Sequence, residues 1–500
     1  MRADRAGAQG VPARGLNAPL NRLREAPPVR TARDALAERG HRAWVVGGCV
    51  RDALLDRPVR DVDLAVEGSP EEAARAVAQA ARGPVFPLSE AFGAWRAVGS
   101  SWICDVSPLQ GPTIEEDLAQ RDFSVNALAV PLEQAGGDDG LIDPTGGSAD
   151  LERGVLRVLG GPAVEDSAYA RDPLRPLRLA RLATELGFRP DPETERLTRE
   201  AAPRVALASP ERVFAELRRL VTADRVLEGL ALADRLGLVE AVLPEVAALH
   251  GVEQSHFHHL DVYDHTMEVL DRLLEIEREP EAAFGAELAP RLRAVLEETL
   301  ADELPRWQAL RFAALLHDIG KPATRGELPD GRVTFIGHDS LGEEMVSDVA
   351  RRMRTSGVLR SFLAAITRHH LVLGFMVHER PLSRTGIYRY LTTCEPVEIE
   401  VTVLSCADRL ATRGQGADAA IAAHLELARG LLGEALAWRE HGPPRAPVRG
   451  DELARELGID SGPEIGALIG RLREARFTGE AETREEALAL ARRLRENPAR

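Results

Sequence analysis

VVGGCVRDALLDRPVRDVDLAV, Val45 to Val66, is the stretch whose reading decides the fold. It opens as a buried strand, breaks at Gly47-Gly48, takes helical spacing through CVRDALL and returns to strand at VDLAV. Side chains at i and i+2 of a strand share a face, so Asp61 and Asp63 point the same way. Adjacent carboxylates repel unless a cation neutralises them, and their oxygens suit hard Mg2+. Two such ions about 3.5–4 Å apart clamp the attacking and leaving oxygens of a phosphoryl transfer. The glycine turn lets backbone N–H groups approach a triphosphate at the start of the helix, where Arg51 adds charge. A lone DxD also serves as a surface turn or capping pair, and a lone GG is weaker still. The order of strand, GG, helix with arginine, basic loop and DxD strand is what singles this stretch out.

Outward from it, 500 residues exceed one hydrophobic core, so three or more domains are expected. An apolar share of 44% with 4% aromatics describes an ordinary globular chain, rich in arginine, with Lys321 as its only lysine. The net charge of −16 argues against non-specific nucleic-acid binding by the whole surface. It leaves room for a local basic track, because screening makes distant charges nearly independent. Cys49, Cys104, Cys394 and Cys406 are far apart and form no CxxC pair, which fits a reducing cytoplasm rather than a disulfide framework. No apolar run approaches the ~20 residues of a membrane span. The Arg-rich start lacks the apolar core of a signal peptide and reads as a disordered arm over 1–30.

Residues 31–160 alternate as α/β. AWVVGG, VDLAVEG and SWICDVS read as strands, and SPEEAARAVAQAA as a helix capped by Ser69. The pattern is helical from 161 to 245, where SPERVFAELRRLVTADR opens on Ser209 with Pro210 at the first helical position. Ten of the thirteen histidines fall between His250 and His378, which sets 246–440 apart chemically; a helical tail fills 441–500.

The opening stretch resembles the head-domain signature of class II tRNA nucleotidyltransferases (CCA-adding enzymes) and the related bacterial poly(A) polymerases, of the polymerase-β superfamily. The resemblance implies that Gly47, Gly48 and Arg51 hold a triphosphate while Asp61 and Asp63 bind catalytic Mg2+. EEDLAQRDFSVNALAV is similar to the family's RRDFTINA motif, which implies nucleotide and ribose roles for Arg121, Asp122 and Asn126. Asp105 in ICDVSPLQG falls where a third strand carboxylate is often found, and RDPLRPLRLARLATELGF matches the neck helix. Three positions depart from the pattern: Gln120 and Gln110 stand where the family carries arginine, and Arg171 where it usually carries glutamate.

Asp172 and Arg175, three apart, are expected on one face of a helix. A carboxylate accepts from the exocyclic amino group of C and A, and a guanidinium donates to a neighbouring ring acceptor. G and U leave a buried partner unpaired, at about 1–3 kcal/mol. A plain surface ion pair is the competing reading; the resemblance implies the base-reading one. Arg178 and Arg181 continue the stripe toward triphosphate or RNA backbone, or form a solvated face.

DVYDHTMEVL, RFAALLHDIGKPAT and VLSCADRLATRG place His265, His317-Asp318 and Asp408 on helices far apart in sequence. That order resembles the HD phosphohydrolase domain, which implies that these four bind a divalent metal with positions left for water and a phosphoester. His338 and the His369-His370 pair are candidates for a second metal or for phosphate.

The expected fold is therefore an α+β multidomain chain: a polymerase-β-like α/β head, then an all-helical neck, HD-type body and tail. The function implied is template-independent addition of C and/or A to the 3′ end of tRNA from CTP and ATP with Mg2+. An HD phosphohydrolase is implied alongside, with no membrane and no obligate protein partner. Poly(A) synthesis, and a phosphohydrolase carrying a relic head, are the alternatives.

Overall fold

A computed structural model describes residues 20–37, 39–59, 61–89, 93–134, 140–254, 260–412, 417–460 and 462–496. The chain divides into two compact units, 1–242 and 243–500.

The first unit is built on six strands: β1 (Ala43–Val46), β2 (Val62–Val66), β3 (Val85–Ser89), β4 (Ala94–Val98), β5 (Ile103–Pro108) and β6 (Ala129–Pro131). They form one sheet in the order β3-β4-β5-β2-β1-β6. β2 runs parallel to β5, and its other neighbour β1 is antiparallel. This register sets Val46 and Asp105 on either side of Asp63. β1 and β2 each have a strand on both sides, which fits their nearly unbroken apolar sequence. Pro87 is tolerated in β3 because that strand lies at the edge, where a missing N–H leaves no partner wanting. The Pro70–Ala81 helix begins as its sequence expects, with Ser69 Oγ accepting from the Glu72 N–H. It buries Ala73, Ala74 and Val77.

A short parallel bridge, Val155–Leu156 with Arg189–Pro190, ties the head to the neck helices Arg175–Leu186, Pro192–Ala201, Pro210–Thr222 and Val226–Arg235. Ser209 precedes Pro210 in extended conformation, but its side chain makes no capping hydrogen bond.

The arm expected over 1–30 departs from that reading where it is described. Residues 1–19 lie outside the described residues, whereas Asn21–Glu25 and Pro27–Ala37 are helical, with Leu23 and Val29 fully buried. Leu20, Leu23, Ala26 and Val29 repeat every third residue, enough to pack one face, though interspersed arginines mask the pattern.

The second unit is helical. Val262–Arg278, Arg306–Leu316, His338–Arg352, Gly357–His369 and Glu398–Ala411 carry its histidines and acids, and Ala417–His441 packs alongside. Gly450–Leu457, Pro463–Thr478 and Arg484–Glu496 close a small core of their own around Leu453, Leu472, Ala487 and Ala491. The four cysteines are buried and unpaired. Among the described residues no helix is long and apolar enough to cross a membrane.

Candidate functional site

The turn after β1 forms only with glycine. Gly47 has φ +79°, and a Cβ there would lie 2.8 Å from Arg121 Nη1 and 3.9 Å from Asp63 Oδ2. Bare backbone is thus what lets a guanidinium and a carboxylate converge on the turn. Asp61 and Asp63 flank buried Val62 and both face solvent. Asp61 Oδ1 accepts from Ile103 N at 3.2 Å.

Asp63 lines a cavity of about 350 Å³ together with Gly47, Gly48, Arg121, Asp122 and Asn126. Its carboxylate is reached by water yet crowded by protein. That crowding, with Asp105 and Asp61 nearby, outweighs Arg121 and pushes Asp63 up to about 6. Repulsion of this kind is relieved by a bound cation, so the donor set fits a divalent metal. Asp105 is not a free ligand: Arg96 of β4 grips both its oxygens at 2.7 and 2.8 Å.

One wall of the cavity is a chain of charged hydrogen bonds. Asp122 Oδ1 accepts from Phe123 N at 2.8 Å and Asn126 Nδ2 at 2.9 Å, and Oδ2 accepts from Arg178 Nη1 at 3.1 Å. Burial opposes the charge, but Arg178 and Arg175 beside it win and bring Asp122 down to about 2. Arg121 is braced by Asp117 at 3.0 Å. Arg51 is buried and bonds to Asp52 and Asn126, so it supports this wall without lining the cavity. Arg181 likewise turns inward to Glu216 and Glu185.

Asp172, Arg175 and Arg178 line the same cavity. The expectation that Asp172 and Arg175 share a helix face is corrected here. The helix starts at Arg175, because Pro173 bars the helical conformation for the residue before it. Asp172 sits in the approach, where Oδ1 accepts from Leu174 N at 3.1 Å and Oδ2 from Arg212 Nη2 at 2.6 Å. Arg175 Nη1 donates to the carbonyls of Ala168, Gln120 and Arg121 at 3.0, 3.2 and 3.4 Å. The two side chains are therefore positioned separately, by the protein around them, and not by each other.

A different centre forms in the second unit. His265 Nε2 lies 3.0 Å from Asp408 Oδ1, and with His317 these residues offer ligand atoms all within 4.8 Å of one another. Asp318, His338 and His370 form a second such group. The sequence assigned Asp318 to a set with His265, His317 and Asp408; its Oδ2 lies beside His317 Nε2, and it also groups with His338 and His370. Nδ1 of His317, His338 and His370 faces the carbonyls of Ala314, Phe335 and Thr367 at 2.8, 2.7 and 2.6 Å. A carbonyl only accepts, so each Nδ1 carries the proton and the neutral ring keeps its Nε2 lone pair for a metal, although at His317 burial is outweighed by Asp318 beside it, which favours the protonated ring.

Those lone pairs face other acceptors. Buried His317 Nε2 lies 3.1 Å from Asp318 Oδ2 with neither atom in an aligned hydrogen bond, and the Nε2 atoms of His338 and His370 are 3.3 Å apart. Burial pushes His370 down to about 4, keeping it neutral at pH 7. Asp318 lies well below the usual carboxylate range, because His317 and Lys321 overcome its burial. The Lys321 ammonium is 2.6 Å from Asp318 Oδ2 and donates to Gln254 Oε1 at 2.9 Å. Facing acceptors in a buried pocket fit one divalent ion per group.

Sequence comparison agrees with this division. A family described as "Poly A polymerase head domain" matches residues 43–157, one described as "Probable RNA and SrmB- binding site of polymerase A" matches 187–249, and "HD domain" matches 262–413. The chain is 35% identical over 460 residues to an A-adding tRNA nucleotidyltransferase of Deinococcus radiodurans, covering 91% of this chain and 96% of the relative. It is equally identical to a CC-adding tRNA nucleotidyltransferase of Thermus thermophilus, covering 90% and 92%. A CCA-adding enzyme solved with CTP superposes with a TM-score of 0.62 at 21% identity, over 95% of this chain and 98% of that one. The Thermotoga maritima CCA-adding enzyme solved with tRNA gives 0.58 at 22%, over 93% and 94%. With relatives this similar along nine tenths of its length, the chain belongs to the tRNA nucleotidyltransferase family, with a poly(A) polymerase-type head and an HD domain.

Proposed function

We propose that this chain adds C, A or both to the 3′ end of tRNA from CTP and ATP, without a template. The observation that carries the reading is one cavity of nucleotide size that brings Gly47, Gly48, Asp63 and Arg121 together with Asp172 and Arg175. Asp61 and Asp63 would hold Mg2+, which lowers the barrier to attack of the RNA 3′-hydroxyl on the α-phosphorus and to departure of pyrophosphate. The chain's own groups do the positioning. The turn at Gly47 admits the triphosphate against backbone and Arg121. Asp122 and Asn126, fixed by Arg178 and Arg51, set the wall for the sugar. Asp172, anchored by Arg212, accepts from the amino group of C or A while Arg175 donates to the ring. Buried free thiols support a reducing, cytoplasmic setting.

The test uses tRNA transcripts intact, lacking the terminal A, and lacking CCA, each incubated with CTP and ATP, with the 3′ ends sequenced. Addition restricted to C and A, lost in Asp61→Ala and Asp63→Ala, is the expected result. Full activity in either variant ends the assignment. Tracts longer than three residues from ATP alone would identify a poly(A) polymerase instead.

A second reading concerns the other unit alone. The six-residue histidine–aspartate centre supports metal-dependent hydrolysis of a phosphoester, as expected of an HD domain. Hydrolysis of 2′,3′-cyclic nucleotides lost in His317→Ala is the outcome to look for; wild-type chain inert toward phosphomonoesters and cyclic phosphates with every divalent ion would sink it.

A further inference from the structure

Four arginines line the cavity of the first unit: Arg121, Arg171, Arg175 and Arg178. Arg121 is held by Asp117, Arg175 by three carbonyls, and Arg178 by Asp122 and Glu216. Arg171 is different. Its side chain is exposed, and among the described residues no carboxylate lies within ion-pair distance of it. It also stands close to another cation: burial is the main influence lowering Arg175, and Arg178 and Arg171 work in the same direction. Asp122 and Asp172 counter part of this charge at Arg175, but Arg171 itself has no carboxylate in ion-pair reach among the described residues, and an exposed guanidinium so placed at a cavity rim suits an anion.

Its backbone is not loose. Arg171 ends the short helical turn Ala168–Ala170, which is pinned by Ala168 N to Leu159 O at 2.7 Å, and Arg171 N donates to Ala168 O at 3.3 Å. On the other side Asp172-Pro173 restricts the chain. The backbone that carries this cation is therefore held next to Asp172 and Arg175.

The size of the cavity says which anion. About 350 Å³ is near the lower end for ligand pockets, enough for one nucleotide. With the incoming triphosphate directed to Gly47 and Asp63, the exposed rim beside Asp172 is left to the other reactant. We propose that Arg171 binds a backbone phosphate in the 3′-terminal segment of the RNA acceptor. This inference rests on the nucleotidyltransferase reading above and adds a residue that governs acceptor affinity. The contact carries no sequence information; it positions.

The experiment compares the full chain with Arg171→Ala, Arg171→Lys and Arg171→Glu. A tRNA transcript lacking CCA is titrated by fluorescence anisotropy at several KCl concentrations, without nucleotide, and KM is then measured separately for tRNA and for ATP and CTP. Loss of one charge-assisted phosphate contact weakens tRNA binding by roughly tenfold at low salt in Arg171→Ala, and more in Arg171→Glu. The slope of log K against log[KCl] becomes shallower by about 0.7–1. Arg171→Lys, which keeps the charge, retains most of the affinity, and KM for the nucleotides stays within about twofold throughout. Wild-type affinity and slope in Arg171→Ala overturn the proposal and leave a solvated side chain. So does a rise confined to the nucleotide KM, which would move the phosphate to the incoming triphosphate. A wild-type chain that binds tRNA but incorporates no nucleotide defeats the nucleotidyltransferase reading alone, because the slope is measured without turnover.

Discussion

Asp172 shows how much of a specificity device lies outside the residue that reads. Its two oxygens are claimed by Leu174 N and Arg212, so its remaining lone pairs present one fixed orientation to the cavity. Arg212→Ala should let the carboxylate rotate and so relax choice: incorporation of CTP and ATP over UTP and GTP is expected to fall by about tenfold in competition assays, in line with about 1–3 kcal/mol for an unpaired buried group. Asp122 makes a second prediction. Its ordinary value of 3.8 falls to about 2 in the fold, so the folded state gains stability above that ordinary value and loses it as pH drops from about 4 toward 2. The gain is about 2 kcal/mol. Asp122→Asn should remove it, and amide hydrogen exchange in the head would then lose most of its extra protection at pH 7, roughly half as much at pH 3, and little near pH 2. At this scale the sequence displayed Asp63, Arg121 and Asn126 because they sit in short local motifs. Arg96, Arg212 and Glu216 were invisible: their partners lie 9, 40 and 35 to 38 positions away, and only folding brings them together.

Among the elements, the β1–turn–helix unit is the least forgiving. Gly47→Ala places a methyl 2.8 Å from Arg121 Nη1 at a positive φ, and both the strain and the clash act on the same turn. A loss of about 1–3 kcal/mol in head stability is expected, with a raised KM for ATP; unchanged values would show that Arg121 simply swings aside. Elements of this kind were legible because period, cap and glycine agreed, as they also do for the Ser69-capped helix. Two were misread, for identifiable reasons. The helix carrying Arg175 was extended back past Pro173 because the Asp172–Arg175 spacing suits a helix, yet the proline between them forbids it. The Pro27–Ala37 helix was hidden by arginine-rich composition, which says nothing about the few apolar positions that pack.

At the scale of the whole molecule, the chain divides into two compact units, one with the poly(A) polymerase-type head and the other with the HD domain. His317→Ala should abolish metal-dependent phosphoester hydrolysis while leaving nucleotide incorporation near the wild-type rate; loss of both together would mean that the units depend on one another. Metal titration by calorimetry is expected to find up to two divalent ions in the second unit. His370→Ala should remove one of them and His369→Ala neither, since His369 belongs to neither ligand group. The choice between those adjacent histidines was beyond sequence reasoning, which sees the pair but not which ring faces inward. Lys321 extends this to the chain as a reagent target. It is the only lysine, it is nearly inaccessible, and its ammonium is locked against Asp318. An amine-directed label or acylating reagent therefore finds no readily reached lysine on the intact protein, and any ε-amine adduct marks a molecule whose histidine–aspartate pocket has come open.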